Sequence, residues 1–239
     1  MLVDGADLGT GVRAGFTSRQ GGVSAAPYDT LNLGLAVGDD PALVTRNRAV
    51  LDDWAGAPVA YATQVHGTGV VVLAEPSDDV GEADALVSIS PDVAVAVLVA
   101  DCVPVLLADA SAGVVAAVHA GRRGLAAGVL QAAVSAMVGV GADVGRIRAA
   151  AGPAIGGRSY EVPAELREEV AAVVPETFAT TSWGTPALDL PAGVDAVLRR
   201  LGVRDVLVSD RDTYTDGDLF SFRRSSRTGR FAGVVRPPT

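Results

Sequence analysis

The chain contains no lysine: all 19 of its basic side chains are arginine. That excludes Schiff-base chemistry and the lysine of a phosphate-binding P-loop, so any anion clamp must be arginine or backbone N–H. Arginine is the better bidentate partner for phosphate. Positive charge is short overall, with a net charge of -9, which argues against a nucleic-acid or anionic-membrane binder because such partners want a basic face. A single cysteine excludes an internal disulfide. The longest apolar region, Val93 to Ala108, is interrupted by Asp101 and Pro104 and is too short for a membrane span. The stretch Met1 to Gly15 lacks the basic start and apolar run of a signal peptide, so the expected compartment is the cytoplasm.

What is present is enough for a large core. Hydrophobic residues make up 49% of 239, with no low-complexity or charge-blocked segment, and this excludes a disordered chain. Asp39-Asp40-Pro41 reads as an N-cap followed by proline at the first helical position, opening a helix to about Trp54 that stops at Gly56. Strands are expected at Ala60–Val65, Val70–Ala74, Val93–Ala100, Val103–Ala108, Val114–Val118, Ile147–Ala151, Asp205–Ser209 and Phe231–Val235. Several are unbroken Val/Ala/Leu runs, which fits strands buried on both faces. Helices are expected at Leu125–Val138, Pro163–Val173 and Ala192–Leu201. No linker splits the chain, so the pattern predicts one mixed α/β domain over residues 1–239, with buried strands and outer helices.

Histidine is scarce as well. His66 and His119 are the only two, and each ends a strand-like run just before a glycine-containing turn. Cys102 lies between two strands. Two imidazoles and a thiolate suit zinc and leave its fourth position open, as a catalytic ion requires. The spacing contains no short metal motif, and the same residues also read as a small buried thiol and two hydrogen-bonded loop imidazoles. The turn His119-Ala120-Gly121-Arg122-Arg123-Gly124 leads from a strand into a helix, so Arg122 and the free N–H groups make an anion site or an ordinary glycine-rich turn.

Several short segments then carry a resemblance. They include Ser18-Arg19-Gln20-Gly21-Gly22-Val23-Ser24, Leu31-Asn32-Leu33-Gly34, Gln64-Val65-His66-Gly67, Ala83-Asp84-Ala85, Ala100-Asp101-Cys102-Val103-Pro104, His119-Ala120-Gly121, Phe220-Ser221-Phe222-Arg223-Arg224 and Thr228-Gly229-Arg230. In this order and over nearly the whole chain, they resemble the YfiH-like family, once called laccase-domain or polyphenol oxidoreductases and now regarded as purine nucleoside phosphorylases. The resemblance implies a mixed α-β-β-α sandwich similar to some Cys-His deamidases, and a catalytic zinc on His66, Cys102 and His119. It implies phosphorolysis of adenosine, inosine, guanosine and 5'-methylthioadenosine, with adenosine deamination as a second activity. Three departures stand out: Arg122 occupies the place of a usual tryptophan, Gly157-Arg158-Ser159 replace cysteines, and Asp212 replaces another.

Phosphorolysis needs a phosphate beside C1' of the ribose. Arg19 and Arg48 are the candidates to hold it, with Ser18 and Asn32 as polar neighbours, and all four also read as loop and cap structure. Asp101, beside Cys102, is expected to orient a metal ligand as a hydrogen-bond acceptor. The partners expected are nucleosides and phosphate, with no nucleic acid, membrane or obligate protein partner. Two rival enzymes remain. One is a Cys-His hydrolase or deamidase with Cys102 as nucleophile and His119 or His66 as base. The other is a copper-dependent polyphenol oxidase, less favoured because one cysteine and two histidines are few for a multicopper cluster. A non-enzymatic binding role is a third alternative.

Overall fold

The structure is a computed structural model that describes residues 2–77 and 79–239, with side chains from Gly5 onward; Met1, where the amino-terminal stretch considered above begins, and Asp78 lie outside the described residues. Its strands are β1 (Leu2–Gly5), β2 (Arg13–Thr17), β3 (Val59–Tyr61), β4 (Val70–Leu73), β5 (Ala85–Ser88), β6 (Ala94–Val99), β7 (Val103–Asp109), β8 (Val114–Ala120), β9 (Arg148–Ala151), β10 (Phe178–Thr180), β11 (Pro186–Leu188), β12 (Asp205–Val208) and β13 (Phe231–Arg236). The helices are α1 (Pro41–Ala55), α2 (Arg122–Ala127), α3 (Val129–Gly139), α4 (Ala164–Val173) and α5 (Leu190–Arg200). None of them is long and apolar enough to cross a membrane.

Two mixed sheets carry the fold. One runs β1-β2-β13-β6-β3 and the other β12-β9-β7-β8-β5-β4. Strand alternation assigns each face. Val95 and Val97 of β6 meet Leu106, Val115 and Ala117 of the other sheet in a core between the two. Their neighbours Ala94 and Ala96 face the other way, onto Leu51 and Ala55 of α1. On the larger sheet, Val105, Leu107, Ala116 and Val118 pack against Leu125, Leu130, Val170 and Val194 of the remaining helices. Helix, sheet, sheet and helix thus stack in four layers, which explains why the central strands read as unbroken apolar runs.

The expected elements differ from the observed ones in instructive places. The predicted helix over Leu125–Val138 is two helices, because Gly128 adopts a left-handed conformation (φ 98°), and α2 starts directly after Gly121. The strand predicted to reach Val65 ends at Tyr61. Beyond it the Gln64 side chain replaces the backbone ladder: its amide donates to the Leu98 carbonyl (2.9 Å) and accepts from the Leu98 N–H (2.8 Å). The chain can then leave the sheet edge and still be held to it. Strands β1, β2, β5, β10 and β11 were not anticipated; β5 is a four-residue segment with both faces buried, and such a segment has no alternation to read. Helix α1 begins and ends as its sequence predicts, with Asp40 capping the Ala42 N–H (2.8 Å) and left-handed Gly56 closing it.

Asn47 on α1 holds the loops that precede the helix. Fully buried, it donates to Ser24 Oγ and the carbonyls of Thr30 and Asn32, and accepts from the Val23 N–H. Asn47→Ala orphans several of these groups at once and is expected to lower stability by about 2–4 kcal/mol. The check is urea unfolding, where the midpoint should fall with the slope unchanged; a wild-type midpoint would show that the loops hold without it.

Candidate metal centre and its cavity

The site lies at one end of the sandwich, where the chain passes between the sheets. On β8, Val115, Ala117 and His119 alternate on the face turned toward the other sheet, so His119 ends the intersheet core and is 3% exposed. Cys102 sits in the turn from β6 to β7, crossing from one sheet to the other. His66 follows β3 in the loop that Gln64 anchors. The donor atoms of His66, Cys102 and His119 all lie within 4.8 Å of one another. The two imidazoles meet edge to face with centroids 4.7 Å apart.

One buried carboxylate organises the trio. Asp84, with no exposed surface, accepts from His119 Nδ1 (2.8 Å) and from the N–H groups of His66 (2.9 Å), Gly67 (2.7 Å) and Val65 (3.3 Å). Its own carbonyl accepts from the His119 N–H (2.7 Å). By holding Nδ1, Asp84 leaves Nε2 of His119 to face the other donors, the arrangement that orients metal-bound imidazoles. Gly121 completes the cradle: a Cβ there would come 3.0 Å from His66 Cδ2 and 3.1 Å from Cys102 Sγ. Burial alone would raise the Cys102 thiol, but hydrogen bonds from His119 and His66 outweigh it and hold the thiol down at about 6. Burial likewise works against the charged His119, yet Asp84 and Cys102 lift it to about 9. Asp84 would also be raised by burial; its bonds from His119 and Gly67 hold it at about 2. A preformed thiolate beside two imidazoles fits a soft divalent ion, with a carboxylate placed to orient one of the ligands.

The trio opens into a cavity of about 710 Å³. Tyr61, Tyr160 and Phe222 supply aromatic wall, and Arg48, Arg223 and Arg230 supply cations. Of the anion-binding candidates only Arg48 lines it. Arg19 is turned onto Asp29, through a hydrogen bond to its carbonyl (2.7 Å) and an ion pair to its carboxylate (3.0 Å). Ser18 Oγ accepts from the Gln20 N–H. Asn32 is fully buried and bonded to Gly34, Asp39 and Arg230, so it shapes the wall from behind. Arg122 stands outside the wall, in electrostatic reach of Tyr160. The expectation for Asp101 needs correcting. At φ 104° its carboxylate turns to Thr213 Oγ1 (2.6 Å), Ser221 Oγ (2.6 Å) and the Arg223 N–H (2.7 Å), so it ties the C-terminal loop to the Cys102 turn and bonds no ligand. The carboxylate that does bond a member of the trio is Asp84, which the sequence marked only as part of a short motif. Arg230, Arg223, Tyr61 and Phe222 were not singled out as site residues either.

Residues 13–237 match the family described as multi-copper polyphenol oxidoreductase laccase. The chain belongs to this laccase-domain, YfiH-like family. A purine nucleoside phosphorylase of Streptomyces coelicolor is 55% identical over 234 residues, which cover 96% of this chain and 97% of the relative. The crystal structure of YlmD from Geobacillus stearothermophilus superposes with a TM-score of 0.89 at 31% identity, over 98% of this chain and 94% of that one. A Neisseria meningitidis protein superposes with a TM-score of 0.88 at 36% identity, over 100% and 99% of the two chains.

For this laccase-domain chain, the geometry makes Asp84 the residue on which ligand orientation depends. Asp84→Asn keeps the shape but loses the charge and places an amide where three N–H groups converge. Metal affinity should fall by about 10–100-fold in a chelator competition. Unchanged affinity would show that His119 is held by packing alone.

Proposed function

We propose that the chain is a zinc-dependent purine nucleoside phosphorylase that accepts adenosine, inosine, guanosine and 5'-methylthioadenosine, with adenosine deamination as a second activity. It acts as one catalytic domain over residues 1–239, in the cytoplasm, on small-molecule nucleosides and phosphate. The observation that carries the reading is a single cavity holding the His66–Cys102–His119 donor set, aromatic wall and arginines. Its volume, about 710 Å³, falls in the range of small-molecule sites. The name of the Streptomyces coelicolor relative supports the same reaction class.

Phosphorolysis breaks the bond from C1' to the purine nitrogen and forms a bond from C1' to a phosphate oxygen. Positive charge builds on the ribose and negative charge on the leaving base. The arginines of the wall hold the phosphate, and Tyr61, Tyr160 and Phe222 offer faces and edges against which a purine packs. His66, Cys102 and His119 would hold the zinc, which when bound supplies Lewis acidity, the chemistry that deamination of adenine requires. Asp84 at Nδ1 orients His119 so that its Nε2 faces the donor set.

Two other readings have a specific motive. The low thiol pKa and the charged His119 beside it suit a Cys-His hydrolase of the deamidase type, with Cys102 as nucleophile. The family description names copper oxidation. Against the latter, the described residues offer one three-donor cluster, too few for several copper ions.

Purified protein should carry about one zinc per chain, and with adenosine and phosphate it should release adenine and ribose 1-phosphate. Cys102→Ala should lose metal and activity together. Identical products with and without phosphate would leave a hydrolase. Full activity in metal-free Cys102→Ala protein would sink the zinc and thiol-nucleophile readings alike.

A further inference from the structure

We propose that Asp101 is a positioning residue for substrate: its carboxylate pins the segment that carries Phe222 into the cavity wall, and it does so without bonding the donor trio. That the substrate is a nucleoside rests on the reading proposed above; the pin stands on hydrogen bonds. Residues 209–230 join β12 to β13 and contain neither helix nor strand. Connections longer than about 12–15 residues without such structure are uncommon in compact domains and are usually functional. This one supplies Phe222, Arg223 and Arg230 to the cavity wall.

The carboxylate of Asp101 straddles Phe222. Its Oδ1 accepts from Ser221 Oγ (2.6 Å) and Thr213 Oγ1 (2.6 Å), and its Oδ2 accepts from the Arg223 N–H (2.7 Å). The residues on either side of Phe222 in the chain are thus bound to one side chain. Phe220, two residues earlier, is fully buried with Val99 and Phe231, whereas Phe222 is half exposed and lines the cavity. Packing therefore holds Phe220, and the bonds to Asp101 hold the backbone at Phe222. Bonds to a charged acceptor on both flanks fix a residue more firmly than neutral bonds would.

Other bonds act elsewhere in the segment. The Arg224 guanidinium donates to the carbonyls of Thr213 (2.6 Å), Asp216 (2.7 Å) and Leu219, which folds the segment on itself. The Arg223 guanidinium leaves toward the Glu161 carbonyl and lies 4.9 Å over the Tyr160 ring. Asp101 is itself held in place: the Ile155 N–H donates to its carbonyl (2.9 Å), and at φ 104° its side chain turns from Cys102 toward the segment. The backbone conformation that keeps Asp101 off the donor trio is therefore the one that lets it act on the wall.

The test separates the carboxylate from the backbone that carries it. Asp101→Gly tolerates φ 104° and removes the pin, while Asp101→Asn keeps an acceptor for both hydroxyls. In calorimetric titration of the zinc-loaded full chain with adenosine, affinity should weaken about tenfold in Asp101→Gly and about threefold in Asp101→Asn. Zinc affinity in a chelator competition should stay within about twofold of the wild type. In phosphorolysis the adenosine KM should rise about tenfold in Asp101→Gly with kcat within about threefold. Phe222→Ala should also weaken adenosine, and Asp101→Gly added to it should cost less than Asp101→Gly alone. The segment itself is read by trypsin, which in this lysine-free chain cuts only after arginine. Cleavage after the exposed Arg223 and Arg224 should be faster in Asp101→Gly. If Asp101→Gly does not fold, Thr213→Val and Ser221→Ala carry the test, each removing one donor and each showing part of the loss. Wild-type adenosine affinity in Asp101→Gly would overturn the positioning role. A fall in zinc affinity matching that for adenosine would overturn it too, and would place Asp101 in the metal centre. Fully additive losses with Phe222→Ala would overturn Phe222 as the residue it acts through. A wild type that binds no adenosine would overturn the nucleoside reading; faster tryptic cleavage of Asp101→Gly would then uphold the pin, and an unchanged rate would overturn it as well.

Discussion

The buried carboxylate of Asp84 fastens the His66 loop and the His119 imidazole to one point between the two sheets. It sits just ahead of β5 in the larger sheet and gathers the N–H groups of the His66 loop, which follows β3 of the smaller sheet. It also receives Nδ1 of His119 from the neighbouring strand β8. A carboxylate without exposed surface is costly unless its lone pairs are taken, and here four donors converge on it. The balance is therefore favourable only when the loop and the imidazole are both in place. Ligand geometry becomes a condition of the fold.

The same economy shows in the backbone. Among the described residues, His66 (φ 59°) and Asp101 (φ 104°) are the non-glycine residues with positive φ, and they are a member of the candidate donor trio and the neighbour of one. Such conformations cost of order 1–3 kcal/mol and persist only when the surroundings over-determine them. At His66 the backbone is fixed by Asp84, with Gln64 clamped to Leu98 just before it. At Asp101 it is fixed by three bonds to its carboxylate and one to its carbonyl from the Ile155 N–H. Strain on both sides of the cavity is thus held by Asp84, Gln64 and Asp101, side chains separate from the donor trio.

This separation explains what the sequence disclosed. The donor trio was legible because histidine and cysteine are rare here and each follows a strand-like run, so three residues of two scarce types fell at strand ends. The central strands were legible because burial on both faces leaves unbroken apolar runs, as in β7 and β8. Asp84 was less so: one acidic residue among 28 looks the same whether it is solvated or buried. Its opposite, Asp101, drew attention by adjacency to Cys102, but adjacency along a chain with φ 104° points the side chain away from the neighbour's. Arg19 misled for a similar reason. A polar glycine-rich loop suggested a ligand, and the loop instead consumes its arginine on Asp29. Arg230 was hidden because its partner segment, Leu33-Gly34, lies nearly two hundred residues away in sequence, and only the pairing of β13 within its sheet brings the chain to it.

Net charge and local charge then act at different ranges. A chain at -9 repels a phosphate dianion at long distance, which at first sight weighs against the proposed phosphorolysis. The repulsion is screened beyond about 8–10 Å at ordinary ionic strength. Inside the cavity the relevant field is that of Arg48, Arg223 and Arg230, none of which forms an ion pair among the described residues, in surroundings where a charge interaction is worth several times its value in water. An acidic exterior with unpaired arginines inside therefore discriminates by size and enclosure. A nucleic-acid backbone meets only the outer field, whereas a free phosphate that enters meets the inner one. Because the cavity's cations other than His119 are arginines, their share of that inner field cannot be switched off by deprotonation. What remains to vary is the protonation of the anion itself, and the more highly charged form gains more from fixed forks.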